Sequence, residues 1–153
     1  MRKIVNRCIR SGWLHRDPFI GFKMTKREIE RTALTEFELN TLSEKTLHTE
    51  RLTAVRDIFL FSCYSGLAYA DVKKLKRSEI IIGIDGDKWV VSRRQKTDIA
   101  ARIPLLPKAL AIIEKYKSIN QANAEDPVLP VLSNQKMNAY LKEIADLCCK
   151  SSA

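Results

Sequence analysis

The chain has 153 residues, of which 45% are hydrophobic and 29% charged, a balance typical of a soluble globular domain with a real core. It has neither an apolar run long enough to span a membrane nor the apolar stretch of a signal peptide, so we expect a cytoplasmic protein whose four cysteines are reduced thiols, spaced unlike metal ligands. The net charge of +9, from 27 Lys and Arg against 18 Asp and Glu, favours a polyanionic partner, and nucleic acid is the usual one.

The first part of the chain predicts a short helix followed by a connecting segment. The helix is expected at Val5–Trp13, and the turn around Pro18 prevents its simple continuation. The segment Gly21–Thr32 is charged and has no clear apolar face, so we interpret it as a linker. The predicted organisation is residues 1–20 as the end of a preceding domain, 21–32 as the linker and 33–153 as the main domain.

The main domain opens with a helix that has a recognisable start. Thr35 is followed three residues later by Glu38, the spacing of a capping box that pairs two otherwise unbonded backbone N–H groups. Phe37, Leu39 and Leu42 give this helix its predicted apolar side.

A second helix is predicted at about Glu50–Tyr64, apolar enough near its end to be the central buried helix. Ser65 and Gly66 break it, because glycine adopts backbone conformations that most residues cannot. A short amphipathic helix, "YADVKKLKRS", follows at once. Its predicted inward residues are Val72 and Leu75, and its predicted outward residues are Lys73, Lys74, Lys76 and Arg77.

The stretch from residue 80 to residue 105 is rich in β-branched residues and predicts three short strands. They are expected at Ile80–Ile84, Lys88–Arg93 and Ala101–Leu105. The dipeptide Asp85-Gly86 is a strong hairpin signal between the first two, and a polar turn at Lys96–Ile99 joins the last two.

Two further helices complete the predicted fold. One covers Lys108–Lys117, with Pro107 in its first turn, and the other covers Asn134–Leu147. The predicted class is α+β, mainly α, with a small three-stranded antiparallel sheet.

Three stretches together resemble the catalytic domain of the tyrosine recombinases, or phage-type integrases, in particular the subgroup found in mobile elements. "YSGLAYADVKKL" resembles their first signature box, Thr-Gly-Leu-Arg followed by an acid. "RRQKT" with "RIPLLPKAL" resembles their lysine-bearing hairpin and the helix after it, and "SNQKMNAYLKEIADLC" resembles the helix before their second box. The resemblance covers about Arg31–Cys148, which implies that residues 1–20 end a core-binding domain.

This resemblance implies strand exchange on double-stranded DNA through a 3′-phosphotyrosine intermediate, without metal, ATP or any other cofactor. Negative charge that develops on the phosphate oxygens must be stabilised by cationic donors, and the leaving oxygen needs a proton from a positioned acid. Covalent attachment conserves the bond energy for rejoining. Family members assemble as oligomers on DNA, so the expected location is the cytoplasm, at the nucleoid.

Residue by residue, the resemblance assigns three catalytic-site positions. Lys96 matches the hairpin lysine that acts as general acid; the alternative is an exposed turn lysine. Asp71 matches the acid of the first box, which would orient neighbouring groups; the alternative is a solvated acid at a helix start. Ala68 occupies the position of the family's first arginine and cannot bind a phosphate, so an arginine elsewhere, such as Arg93 or Arg94, would have to replace it.

Further basic and polar residues are candidates for DNA contact. Each of them, taken alone, has the alternative interpretation of a solvated surface group. The candidates are Arg94 and Thr97 beside the lysine, followed by Arg93, Arg102, Lys73 and Lys74.

The family's second box and its nucleophilic tyrosine have no counterpart in this sequence. The four tyrosines, Tyr64, Tyr69, Tyr116 and Tyr140, are interpreted as core or surface aromatics. We therefore expect a shortened or degenerate recombinase that does not cleave DNA by itself. Core surface should be exposed beside Phe59, Phe61 and the last helix, which would favour dimerisation.

Two other functions fit the same composition. A basic module that binds DNA without catalysis would need neither Lys96 nor the first-box arginine. A basic structural or protein-interaction domain would show no affinity for DNA even at low salt.

Overall fold

A computed structural model describes residues 2–22, 32–93, 99–117 and 126–149. It divides into two compact units, Met1–Ala33 and Leu34–Ala153. Within the described ranges, none of the helices has the length and apolar character needed to cross a bilayer.

The first unit contains one helix, α1, at Arg2–Arg10. It begins and ends three residues earlier than Val5–Trp13, the predicted range. The earlier end is explained by Gly12, which adopts a left-handed conformation (φ 73°). The N–H groups of Gly12 and Trp13 donate to the carbonyls of Ile9 and Cys8, at 3.1 and 2.9 Å, a pairing that closes the helix.

In the second unit, α2 (Glu36–Glu44) begins with the predicted capping box. The Thr35 N–H donates to Glu38 Oε2 at 2.8 Å, and the Glu38 N–H donates back to Thr35 Oγ1 at 3.3 Å. The predicted apolar side is only partly correct. Leu39 and Leu42 are half-buried, but Phe37 is 79% exposed, because it lies beyond the strip of α2 that faces the core.

Helix α3 (Glu50–Ser65) is the central buried helix, as predicted. It contacts α2 and the three other helices of this unit, which are described below. It ends at Gly66, whose backbone is left-handed (φ 67°) and whose N–H donates to the Ser62 carbonyl at 2.9 Å. Phe61 is fully buried on α3, so the predicted exposed core surface does not include it. An open, mainly apolar pocket does lie beside Phe59 and the last helix, where Leu141 and Ala145 line it.

Helix α4 is short, Tyr69–Lys74, and a single 3-10 turn at Arg77–Glu79 replaces its predicted last part. The chain leaves the helix because Leu75–Arg77 runs beside Asp126–Val128, with hydrogen bonds from the Val128 N–H to the Leu75 carbonyl and from the Arg77 N–H to the Asp126 carbonyl. Arg77, predicted to point outward, is half-buried, and its Nη2 donates to the Tyr116 carbonyl at 3.3 Å.

The sheet is antiparallel, with strand order β1-β2-β3. The strands are β1 at Ile80–Ile82, β2 at Lys88–Arg93 and β3 at Ala100–Pro104. The predicted turn at Asp85-Gly86 lies in the loop between β1 and β2, where the Gly86 N–H donates to the Gly83 carbonyl at 3.1 Å and Gly86 has φ 82°. Because this turn begins at Gly83, β1 ends at Ile82, two residues before its predicted end at residue 84.

Two helices complete the second unit, α5 (Pro107–Lys117) and α6 (Asn134–Cys149), both close to their predicted bounds. Ala109 and Ile113 of α5 and Met137 and Ile144 of α6 join α3 in one core. The predicted class, α+β and mainly α with a small three-stranded antiparallel sheet, is confirmed.

Candidate nucleic-acid interface

An open cleft of about 960 Å³ lies between the α4 side of the second unit and the sheet. Five cationic residues line it, and we call it the basic cleft: Lys73, Lys74, Lys76, Arg93 and Arg102. Four of these, all except Lys76, were predicted DNA contacts. They come from two separate segments of the sequence, and the fold brings them to one surface.

The packing of α4 against the core directs its lysines into the cleft. Val72 and Leu75 are each 1% exposed and hold one side of this segment in the core. Because neighbouring helical residues point in different directions, Lys73 and Lys74 are then left on the exposed side.

Strand alternation places the two arginines on the outer face of the sheet. Val90 is fully buried, so Val91 and Arg93, which lie one and three residues further along β2, face the other way. In the register of the sheet, Arg93 is opposite Ala100 and Val91 is opposite Arg102. Arg93 and Arg102 are therefore diagonal neighbours on the same face, at a spacing of roughly 7–8 Å between Cα atoms.

The charge of the basic cleft is strongly unbalanced. Glu79 is the one acidic residue among those that line the cleft in the described part of the chain. Among the residues that the structure describes, Lys73, Lys74 and Arg102 form no ion pair. Cations gathered in this way repel one another, and a bound anion relieves the repulsion, so the cleft is suited to phosphate groups.

The elbow between α3 and α4 lies in the stretch that resembles the first signature box, and Ala68 stands at the position of its arginine. Ala68 is the residue before α4, and its carbonyl accepts hydrogen bonds from the N–H groups of Asp71 (2.9 Å) and Val72 (3.0 Å). Ala68 is exposed. Asp71 is only 9% exposed, so its alternative interpretation as a solvated acid is wrong, while its orienting role stays a prediction.

Lys96, Arg94 and Thr97 lie outside the residues that the structure describes. Arg93 and Ala100, which lie on either side of residues 94–98, are paired across the sheet, and both line the basic cleft. The role of Lys96 as general acid stays a prediction.

The sequence analysis missed a polar cluster between α3 and α5. Asp57, 4% exposed, accepts hydrogen bonds from Arg56 Nη2 (3.0 Å), Lys115 Nζ (2.6 Å) and the Tyr116 hydroxyl (3.1 Å). Burial and the nearby Asp57 charge raise the pKa of Tyr116 well above its usual range. The available signal was an acid within the apolar stretch "AVRDIFLF", because such an acid requires partners.

In the described parts of the chain, no three His, Cys, Asp or Glu side chains are grouped so that they could hold a metal ion. Comparison of the sequence with protein-family models and with curated proteins gives no match.

Proposed function

We propose that this chain is the DNA-binding part of a tyrosine recombinase catalytic domain and that its basic cleft binds the backbone of double-stranded DNA. The observation that carries the proposal is the convergence of Lys73 and Lys74 with Arg93 and Arg102 in one cleft. The motif order of the sequence supports it, because the elbow and the hairpin lysine of the family occur at the corresponding places.

In the proposed mechanism, the cations of the cleft bind the phosphates on either side of the scissile bond. In a complete family member, the hydroxyl of the nucleophilic tyrosine would attack the scissile phosphorus while Lys96 donates a proton to the leaving 5′-oxygen, and Asp71 would orient groups around the elbow. The sequence has alanine at position 68 and no tyrosine that matches the nucleophile. The expected activity of the chain is therefore DNA binding without strand cleavage.

The first test is fluorescence-anisotropy titration of a labelled duplex at several salt concentrations. The logarithm of the binding constant should fall linearly with the logarithm of the salt concentration, because cations of the protein displace counterions from DNA. The double variant K73A/K74A should weaken binding and reduce this slope by about 2, and R102A should reduce it by about 1.

The matched control is K136A/K142A, which removes the same charge from exposed positions of α6 outside the cleft. It should leave the slope nearly unchanged. Equal effects of the two double variants would show that binding follows net charge alone, and absence of DNA binding at low salt would reject the proposal in favour of a structural or protein-interaction domain.

A second candidate function is a DNA-binding module without catalysis, which the alanine at position 68 favours. A suicide duplex, which traps phosphotyrosine adducts, tests the expectation shared by both functions that this chain does not cleave DNA. Neither proposal expects an adduct from the chain, so a covalent protein–DNA species would contradict both. Assembly of several copies on DNA, dimerisation of the chain and a location at the nucleoid are further expectations of the recombinase proposal.

A further inference from the structure

Glu79 is an acidic residue in a cleft that otherwise carries positive charge, and its two carboxylate oxygens accept hydrogen bonds from the start of its own 3-10 turn and from β2. Oε2 accepts a hydrogen bond from the Lys76 N–H at 2.8 Å, in the connection that follows α4. Oε1 accepts one from Ser92 Oγ at 2.5 Å, on β2. Both Glu79 and Ser92 are half-buried, and both line the basic cleft.

Both hydrogen-bond partners of Glu79 lie at or next to cationic residues of the cleft. Lys76 itself lines the cleft, and Ser92 directly precedes Arg93. The side that carries Lys76 is already fixed, because the chain there is bridged to Pro127. The hydrogen bond from Ser92 to Glu79 therefore joins β2 to a fixed support.

We propose that Glu79 is a positioning residue of the basic cleft, which holds the α4 side and the hairpin side at the separation that DNA binding requires. This inference rests on the proposed function. A carboxylate near bound phosphates lowers affinity by repulsion, so its presence in the cleft is explained by the position it imposes on β2 and Arg93. Hydrogen bonds to a charged acceptor are among the stronger ones in proteins, which suits this role.

Substitutions at Glu79 separate its positioning role from its charge. Loss of the negative charge should raise DNA affinity, whereas loss of the two hydrogen bonds should lower it. E79Q keeps the shape: its amide oxygen can accept from the Lys76 N–H, and its amide nitrogen can donate to Ser92 Oγ. It also removes one negative charge, so DNA affinity should rise about twofold to threefold at low salt. E79A removes the same charge and both hydrogen bonds, and its affinity should fall about threefold below that of the unchanged protein, because the binding-competent arrangement is less populated.

Ser92→Ala provides a second variant that changes no charge. It should weaken binding about threefold, with the salt slope unchanged, because the hydroxyl positions β2 and contacts no phosphate. D146N, a change of the same charge on the exposed part of α6, controls for net charge and should behave like the unchanged protein.

The measurement is the duplex titration described above, with a urea unfolding curve for each variant. The inference is supported if E79A and S92A bind DNA more weakly than the unchanged protein and E79Q binds it at least as tightly. Tighter binding by E79A, or unchanged binding by S92A, overturns it. If the unchanged protein binds no DNA at all, the proposed function itself fails, an outcome distinct from failure of the role of Glu79.

Discussion

The ammonium nitrogen of Lys115, on α5, lies 2.6 Å from Oδ2 of Asp57, a carboxylate buried on α3. The Tyr116 hydroxyl donates to the same oxygen at 3.1 Å, and Arg56 Nε and Nη2 donate to Oδ1 at 3.1 and 3.0 Å. One carboxylate thus receives four hydrogen bonds and joins two helices that pack in the core. Because several donors form hydrogen bonds to this carboxylate, its negative charge is buried at a much smaller cost in stability than an unpaired charge would have.

Removal of this carboxylate should strongly destabilise the fold. Asp57→Ala leaves the mostly buried guanidinium of Arg56 without its ion-pair partner and the Tyr116 hydroxyl without its acceptor, so we expect the free energy of unfolding to fall by about 3 kcal/mol. Urea denaturation measures the change. Glu143→Ala, which removes an exposed ion pair with Arg51, should change stability by less than about 1 kcal/mol, and a similar loss in both variants would contradict the assigned role.

Tyr116 makes stability depend on pH in the alkaline range. Because its folded-state pKa is raised, mainly by burial, the folded protein keeps the phenolic proton at a pH where the unfolded chain begins to lose it, near 10. The contribution of Tyr116 to stability is therefore complete below about pH 10 and is lost as the pH rises towards the folded-state pKa.

Tyr116→Phe should flatten this part of the profile. The variant loses one hydrogen bond at neutral pH, about 1 kcal/mol, but its free energy of unfolding should fall less steeply than that of the unchanged protein above pH 10. Urea midpoints across pH 8–11 give the comparison, and lysine ionisation affects both proteins equally. Parallel profiles would show that Tyr116 ionises normally in the folded state.

Gly66 should be intolerant of a side chain for reasons of backbone conformation alone. Its φ is +67°, and a Cβ built there would meet nothing within 4 Å. Gly66→Ala should lower the free energy of unfolding by about 1 kcal/mol, and Gly66→Asn by less, because asparagine adopts left-handed conformations more readily. Thermal unfolding of the two variants tests this order; alanine at least as stable as asparagine would contradict it.

Signals local in the sequence predicted much of this fold. The capping box at Thr35, the helix stop at Gly66 and the hairpin turn at Gly86 each depend on a few adjacent residues, and each occurs where expected. The bounds of β2 are also as predicted, because apolar alternation and turn residues delimit it.

What the sequence could not show depends on contacts between distant segments. Asp57 has one partner next to it in the sequence, Arg56, but its partner Lys115 is 58 residues away, so the residues near the acid do not reveal its link to α5. Arg77 is half-buried because the end of α5 supplies a carbonyl for it. The basic cleft likewise follows from the sheet register that brings Arg102 beside Arg93, whereas the sequence indicated only separate candidate residues.

Phe37 on α2 and Phe61 on α3 should differ sharply in their contribution to stability. Phe61 is fully buried, and Phe61→Ala should lower the free energy of unfolding by about 3–5 kcal/mol through lost burial and a residual cavity. Phe37 is 79% exposed, and Phe37→Ala should change it by less than about 0.5 kcal/mol. Urea denaturation of both variants at one protein concentration decides; a large loss for Phe37→Ala would mean that another surface covers this residue.

Ala68 offers a gain-of-function test of the proposed DNA site. The position is exposed at the start of α4, so Ala68→Arg fits without core disruption and should cost less than about 1 kcal/mol of stability, from the positive end of the helix dipole. If the elbow faces the phosphate as the family resemblance implies, the new guanidinium should raise duplex affinity about threefold to tenfold and increase the salt slope by about 1. Ala68→Gln, of similar length without charge, should leave the slope unchanged. An arginine variant with unaltered affinity and slope would place the elbow away from the DNA and remove the main support for the resemblance at this box, while leaving DNA binding by the basic cleft to be judged by its own variants.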